Sequence, residues 1–550
     1  MMPGGRRVQP RLIIVDHSLR NVGGHHFEYA VQVGHAAVQR GMQVVLATHR
    51  RFRVPPDAGP FSVRPLFSFR GYSKQTIFGS FDVPGTRAPE TPGMFDALAS
   101  RVRMSSFRRN LERLMRSTEL RAGDHVFLPT VTELDLAALT QFLAEHAAET
   151  APATWHLQFH YPIFSGNRET WSQSPVAEYA HELFRDALSV AGGHDLRFYA
   201  PTAHIAEHYD ALNVGTFREL SYPGNPALEP VPEAEQSPLR VSLLGHARAE
   251  KGYGRLGELI RSIDSFAHGD ARLVLQQRRN GQAPEIGLTA EVQNRSVSAL
   301  PYPLSTEAYR QAVQRSSVGM LVYDRERYRA RCSGLFVEYL CAGVPVIATA
   351  GTWMADQIEA EIQRHIASTV EGQATGGRSL EPGELDQGVS LDVPSGVAAL
   401  AVGLRYADDG SGLRSLRVVQ GEQTASTVIG RSGAGIRFGM LPLERGGRTI
   451  RLRLGRAFDE PAAAVSDLRL HWIAGRPGGV PCGAVGLLAE SPGQTRRLLD
   501  EVLRHWPHYR QSAVGFAENW RARHSPATII DTLLGAPVSE EIEPAREAMR

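Results

Sequence analysis

The chain is short of cysteine, lysine, net charge and long apolar runs. Of 550 residues only Cys332, Cys341 and Cys482 are cysteines, and no metal-ligand spacing relates them. That argues against a disulfide scaffold and against a zinc site. No stretch approaches the roughly 18 consecutive apolar residues of a membrane span, and the first apolar run is strand-like rather than a signal-peptide core. A formal net charge of +2 argues against a dedicated nucleic-acid binder, which would be strongly basic. The expectation left standing is a cytoplasmic protein. Lysine occurs only at Lys74 and Lys251, every other basic residue being arginine. In such a background a lysine marks a place that wants a compact, flexible ammonium rather than a planar fork, with chance as the competing account.

What is present is ordinary for a globular chain: 42% hydrophobic and 21% charged residues, in a length that suits about three domains. The stretch Arg331 to Thr349 (RCSGLFVEYLCAGVPVIAT) is the most informative. Ser333 suits an N-cap, Gly334 to Ala342 reads as a short helix, Gly343 supplies its C′ residue, and Pro345 forbids continuation. Val344 to Thr349 then reads as a buried parallel strand. Amides at the helix start, around Ser333, Gly334 and Leu335, suit a phosphate. Glu338, about one turn further in, can accept two hydrogen bonds from a ribose diol. The pattern predicts a nucleoside-diphosphate site.

In chain order, Arg11–Asp16 (RLIIVD) is a buried-strand pattern, followed by Asn21-Val-Gly-Gly-His-His26, a helix over about 27–39 and a strand at Met42 to Ala47. The glycine pair Gly23-Gly24 lets backbone approach a ligand, although the G-x-G-x-x-G fingerprint is absent. Residues 50–95 read as loop. Ser100 to Ser117 is a basic amphipathic pattern that could rest on anionic lipid, a solvated helix face being the plainer reading. Thr154 to Phe159 is a strand that presents His156, Gln158 and His160 to one side near its C-terminal end, where open α/β sheets bind ligands. Structural and functional readings compete there. The acidic, Pro-rich segment to Pro238 reads as a linker.

A second α/β unit begins at Leu239. Its first strand ends at Gly245, and His246-Ala-Arg248-Ala-Glu-Lys251-Gly252 follows, with a helix to about Ile263. A glycine turn with Arg248 and Lys251 beside it makes an anion cradle. Arg325, Arg327, Arg329 and Arg331 lead into the informative stretch, with one or two facing the phosphate. From about Glu371 the pattern changes to short alternating runs at Val397–Tyr406, Leu416–Gln420, Ala425–Ile429, Ile436–Met440, Thr449–Leu454 and Asp467–Ile473. Turn signals at 408–412 and 445–447 separate them, as in a β-sandwich or jelly roll. Gly483 to Leu488 and Gln494 to Trp506 resume strand–helix alternation, so the β-rich part reads as an insertion. The expected organisation is a Rossmann-like domain over 1–236, a second one over 237–372 completed by 480–550, and an inserted sandwich over 373–479.

Four patches, in order, carry a family resemblance: Val22-Gly-Gly; Gly245-x5-Lys251-Gly252; Ser333-Gly-x3-Glu338-x4-Gly343-x-Pro345; and the helix from Phe516 to Pro526. Together they resemble the retaining nucleotide-sugar glycosyltransferases of the GT-B fold, family 4 in particular. The resemblance covers about 10–370 and 480–535 and omits the β-rich segment. It implies that Lys251, with Arg248 nearby, neutralises the departing diphosphate of a UDP- or GDP-linked sugar. It implies that Glu338 binds the ribose, that amides at Ser333–Leu335 hold the distal phosphate, and that Gly23-Gly24 close over the donor; Arg331 joins the donor-binding candidates from its place just before that helix. His156 or His160 would sit near the sugar or acceptor, a glycan, lipid-linked glycan or other hydroxyl compound. No metal and no cofactor beyond the donor are implied. Two positions depart from the family: Ala330 stands eight before Glu338, where relatives carry glutamate, and His246 replaces an arginine. A degenerate core serving a non-catalytic carbohydrate-binding or scaffolding protein is the alternative. For the sandwich, Tyr406, His471 and Trp472 would form a sugar platform.

Overall fold

A computed structural model describes residues 9–22, 25–55, 59–71, 94–165, 168–232, 237–245, 248–253, 271–276, 297–301, 304–407, 413–430, 435–444, 449–458 and 464–535. Apolar runs with period-2 burial on both faces build two parallel sheets. The first contains β1 (Arg11–Asp16), β2 (Gln43–His49), β3 (Ser62–Phe67), β4 (His125–Leu128), β5 (Thr154–Gln158), β6 (Asp195–Ala200) and β7 (Phe217–Glu219). Their order is β3-β2-β1-β4-β5-β6-β7, all parallel, with Ile13 opposite Val45 on one side and Val126 on the other. Ile13 and Val15 enter one core, Leu12 and Ile14 the other, as a sheet covered by helices on both faces requires.

The second sheet contains β8 (Arg240–Leu243), β9 (Arg272–Gln276), β10 (Val297–Leu300), β11 (Val318–Leu321), β12 (Val346–Thr349) and β21 (Gly486–Ala489). Its order, β10-β9-β8-β11-β12-β21, repeats the first: the third, second and first strands, then the fourth onward. That is the doubly wound Rossmann order, with a switch point between β1 and β4 in one half and between β8 and β11 in the other.

Between β12 and β21 the described residues form eight further strands, β13 (Ala374–Ser379), β14 (Val389–Asp392), β15 (Val397–Tyr406), β16 (Arg414–Gln420), β17 (Gln423–Ile429), β18 (Ile436–Pro442), β19 (Thr449–Arg456) and β20 (Val465–Ala474). They form two antiparallel sheets, β13-β20-β15-β18 and β14-β19-β16-β17. Leu400, Val402 and Leu470 from one sheet share a core with Leu416, Val418 and Leu452 from the other, so the two face each other as a sandwich. The expectation of α/β halves with an antiparallel sandwich in the C-terminal half is what the fold shows. The turn signals at 408–412 and 445–447 and the helix expected to Ile263 lie outside the described residues.

Two compact units result. One holds the first sheet, with Ala330–Gly334 and the helix Pro526–Leu534; the other holds the second sheet, the sandwich, the helix Thr495–Arg504 and the helix Trp506–Arg523 as far as Arg521. The reading of 50–95 as loop is corrected at Ser62–Phe67, an edge strand paired with β2. Proline is disfavoured inside a strand, but on an edge the missing N–H of Pro65 costs no ladder bond.

The helix Gly334–Cys341 ends in a Schellman motif. The amide of Val344 donates to Tyr339 O at 2.9 Å and that of Gly343 to Leu340 O at 3.0 Å, with Gly343 at φ +63°. Gly343→Ala would strain a left-handed residue and push a Cβ to 3.0 Å from Val514 Cγ2, for an expected loss of about 1–2 kcal/mol or more. Gly372 lies in the last turn of the helix Trp353–Gln373, and a methyl added there would meet nothing within 4 Å. Gly372→Ala should therefore stabilise, by up to about 1 kcal/mol. Denaturant midpoints of the two variants should move in opposite directions; a shared direction would refute this account of the cap.

Candidate functional site

Open α/β sheets bind ligands at the switch point, beyond the carboxyl ends of the strands. In the second half that place is built by Gly245, just past β8, and by Tyr323, just past β11. Gly245 has φ +87° and its amide donates to Oε1 of the buried Gln276 at 2.8 Å. A Cβ on Gly245 would lie 3.8 Å from Lys251 Nζ and 3.9 Å from Leu335 Cδ2, so these three residues surround one small volume.

Lys251 is delivered by a single 3-10 turn, Ala249–Lys251, which Gly252 ends at φ +86°. Any side chain at Gly252 would place its Cβ 2.9 Å from Val322 O. The amide of Asp324 donates to Glu250 O at 2.7 Å, and the Tyr253 hydroxyl donates to Leu243 O at 2.8 Å. The turn is thereby tied to the ends of both β8 and β11. Lys251 Nζ sits 5.4 Å from the Tyr323 ring centroid, within cation–π range.

Helix Gly334–Cys341 contributes Leu335 and Glu338. From behind, Arg510 donates to Ala342 O at 3.0 Å and to Gly343 O, Arg521 to Cys341 O at 2.9 Å, and Trp520 Nε1 to Val337 O at 3.1 Å. Guanidinium charge thus sits at the negative end of this helix, and the positive end faces the Lys251 side. Glu338 is half-buried, and its Oε2 accepts from the Tyr309 hydroxyl at 2.7 Å.

Burial lowers the Lys251 pKa to about 8; the Arg248 guanidinium adds to the effect, while Glu250 and Glu338 oppose it. A depressed lysine pKa means that this group disfavours folding while it is charged. Its contribution to stability improves as pH rises from about 8 towards the unfolded value of 10.5.

The second unit therefore brings Gly245, Arg248, Lys251, Leu335 and Glu338 together. The four arginines before Ser333 diverge. The Arg325 guanidinium lies 4.1 Å from the Phe458 ring centroid, Arg327 donates its amide to the Asp324 cap at 2.9 Å, and Arg329 reaches Glu326 at 3.2 Å. Arg331 lies over Tyr161 at 4.6 Å within the first unit, which also holds Ser333 and Gly334. Ala330 is core there, its carbonyl accepting from Thr202 at 2.8 Å. Gly23, Gly24 and His246 lie outside the described residues.

Of the two histidines on β5, His156 is fully buried. Its Nε2 lies 3.0 Å from His125 Nδ1 and its Nδ1 3.1 Å from the Tyr199 hydroxyl. Burial, then the His125 and Arg197 charges, lower its pKa to about 3. The ring is therefore neutral, with both nitrogens engaged inside the sheet. His160 is half-buried beyond the strand end, with Nε2 2.6 Å from Pro129 O and its pKa lowered to about 4, chiefly by burial.

Sequence reading missed the polar groups at the first switch point. Asp16, at the end of β1, is buried and receives His26 Nδ1 at 3.1 Å and the amides of Ser18 and Leu19. Burial alone would raise its pKa, but His26, His17 and the Ser18 amide hold it below the usual carboxylate range. His17 Nε2 lies 3.3 Å from Asp135 Oδ2, at an ion-pair distance but off hydrogen-bond geometry. Asp135 in turn caps the helix Glu133–Glu145 with Thr132. The signal available was an acidic strand end followed by three histidines within ten residues. In the sandwich, Tyr406 spends its hydroxyl on Ile429 O at 3.1 Å, and Trp472 packs against the core while lining a cavity of about 270 Å³ with Arg378 and Asp392. Among the described residues, no group of three or more His, Cys, Asp or Glu could hold a metal ion.

Two doubly wound halves with polar switch points define an α/β protein of the GT-B class of fold. No protein-family model matches the chain, and no curated protein does. Among solved structures it is similar to the N-terminal domain of trehalose-6-phosphate phosphatase from Candida albicans, at 12% identity and a TM-score of 0.42, over 65% of this chain and 86% of that one. It is also similar to a UDP-forming α,α-trehalose-phosphate synthase from Burkholderia xenovorans, at 13% identity and a TM-score of 0.41, over 64% and 86%. A third similar structure, trehalose-6-phosphate from E. coli bound with UDP-2-fluoro glucose, gives 14% identity and a TM-score of 0.40, over 64% and 86%. The fold assignment rests on the strand order and connections of this chain itself.

With only two lysines in the chain, ¹³C-lysine NMR reads the site directly. One resonance, assigned by its loss in Lys251→Arg, should titrate near pH 8. Arg248→Ala should move that midpoint up and Glu338→Gln should move it down. A Lys251 midpoint above 10 would show that the side chain is solvated and would overturn this description of the site.

Proposed function

We propose that this chain is a glycosyltransferase that moves a hexose from a UDP- or GDP-linked sugar onto a glycan, a lipid-linked glycan or another hydroxyl acceptor. The observation that carries this reading is the convergence of Gly245, Lys251 and Leu335 at the start of the helix Gly334–Cys341, with Glu338 on the same helix. In the reaction the bond from the anomeric carbon to the diphosphate oxygen breaks, its electron pair leaves with the diphosphate, and the acceptor oxygen bonds to carbon as it loses its proton. Lys251, with Arg248, would stabilise the charge that develops on the diphosphate. A pKa near 8 leaves the ammonium mostly charged at neutral pH, and a bound dianion raises it further. Glu338 would take the ribose hydroxyls in place of the Tyr309 hydroxyl.

His160, beside Asp16 and His26, is the histidine that would serve the sugar or the acceptor. Retention at the anomeric carbon is the outcome carried by the resemblance, and Ala330 leaves no carboxylate eight positions before Glu338 to assist it. We place the reaction in the cytoplasm. Phe95, Leu98 and Val102 are 80%, 58% and 48% exposed along one side of the helix Met94–Thr118, a surface suited to peripheral contact with a membrane that carries a lipid-linked acceptor. Among the described residues no helix is long and apolar enough to cross a membrane. The second reading, a non-catalytic carbohydrate binder, is favoured by the cavity beside Trp472, whose Asp392 and Arg378 could hold sugar hydroxyls.

A panel of labelled UDP- and GDP-sugars with the full chain separates the two. Lys251→Ala should lower kcat/KM by about 10²–10³-fold, and Glu338→Gln should weaken nucleoside-diphosphate binding about tenfold or more. The anomeric proton of the product, read by NMR, reports retention. If no sugar is transferred or hydrolysed and neither substitution alters nucleotide binding, the non-catalytic reading stands instead.

A further inference from the structure

Strands β1, β2 and β3 are parallel neighbours, so the loops that leave their C-terminal ends share one edge of the first sheet. Those loops carry Arg20, then Arg50 with Arg51, then Arg70. The four side chains line one cavity of about 330 Å³, to which Phe69 and Arg103 also contribute. Residues far apart in sequence become a single basic pocket through strand order alone.

His49 holds the three loops in register. Its amide donates to Leu19 O at 3.1 Å, its Nδ1 accepts from the Arg51 amide at 3.1 Å, and its Nε2 lies 3.2 Å from Ser68 O. The Arg50 amide donates to Phe67 O at 2.7 Å, and the Gly71 amide to Ser18 Oγ at 2.8 Å. An imidazole that accepts at Nδ1 and donates at Nε2 is neutral. Its pKa is lowered by burial first, with the charges of Arg20, Arg70 and Arg50 adding to the effect, as expected where three guanidiniums converge.

Charge balance indicates what the pocket takes. Arg103 is buried and already faces Asp135 at 3.6 Å and the Gly71 carbonyl. Among the described residues, no carboxylate forms an ion pair with Arg20, Arg50, Arg51 or Arg70. We propose that this pocket binds a phosphoryl group, a phosphomonoester or diphosphate, whose organic part rests against Phe69. A guanidinium fork matches phosphate oxygens in bidentate fashion. A single carboxylate would neutralise one of four forks, whereas a phosphoryl dianion or a diphosphate matches several. Phe69 is 45% exposed and supplies apolar surface beside the charge. The pocket lies within the first unit and is independent of the transferase reading.

Titration calorimetry with pyrophosphate and with glycerol phosphate tests this on the full chain. Arg20→Ala/Arg70→Ala changes one half-buried and one exposed side chain and should leave the unfolding midpoint in place. It should weaken pyrophosphate binding at least tenfold, and the Arg→Lys pair should recover only part of the loss. Running the titration in Lys251→Ala as well removes any binding at the second unit, and the Arg20/Arg70 dependence should persist there. Cosedimentation with phosphatidylcholine vesicles, with and without phosphatidic acid, gives the source. Dependence on these arginines for the soluble anions assigns a soluble phosphorylated ligand, and the same dependence for vesicles alone assigns a lipid phosphate; either upholds the site. Anion binding that is unchanged in the double variant, or absent from the intact chain for both anions and vesicles, overturns it.

Discussion

The pairing of β12 with β21 joins chain segments on either side of the whole antiparallel sandwich, and the second half depends on it. Val346 to Thr349 run in register with Gly486 to Ala489, and a Cβ at Gly486 would lie only 2.0 Å from Val346 O. Only glycine allows strands so close. Closing the sheet there sets the origin of the helices that follow, and from them come Arg510, Trp520 and Arg521, which hold the carbonyls of the helix Gly334–Cys341. Removing the sixth strand would leave that helix without the cations at its C-terminal end. The electrostatic character of its other end, where Leu335 meets Gly245 and Lys251, therefore depends on chain far away in sequence.

Lys251 shows how a scarce residue acquires meaning. Arginine serves this protein wherever a fixed charge is wanted, as at Arg510, because a guanidinium stays protonated even when buried. An ammonium behaves otherwise, since desolvation can move its pKa towards neutrality, to about 8 here. A group poised in that way changes its charge state in response to a bound anion, which an arginine in its place would not do. The sandwich meets the same unit through contacts such as Gln363 to the Phe438 backbone at 2.9 and 2.7 Å and Gln494 to Ser426 at 2.6 Å. These are specific polar bonds rather than a loose tether.

Much of this was legible in the sequence because local patterns encode local structure. The strand Val397–Tyr406 and the helix that begins at Gly334 follow directly from alternation, from a C′ glycine and from a proline. The convergence of Gly245, Lys251 and Glu338 was expected only through the resemblance of their motifs to a known family. What could not be read was anything created by strand order. His17 and Asp135 meet only because β1 lies beside β4, and period-2 alternation around His156 gives a face of the strand without saying that Tyr199 will meet its ring. Ser62–Phe67 escaped because propensity weighs Pro65 against a strand, whereas topology puts that strand on an edge where proline is harmless.

The two halves repeat one strand order yet place different chemistry at the same topological position. At the β8/β11 switch the chain presents a glycine turn, an ammonium and a helix N-terminus, all suited to negative charge. At the β1/β4 switch it presents a buried carboxylate, Asp16, held by His26 and near His160, which suits hydroxyl groups and protons rather than phosphate. Anion-seeking groups in that half are displaced outward to the ends of β1, β2 and β3, where four arginines share a cavity. A repeated backbone thus fixes where ligands can approach, and the loop side chains decide which ligand each place accepts.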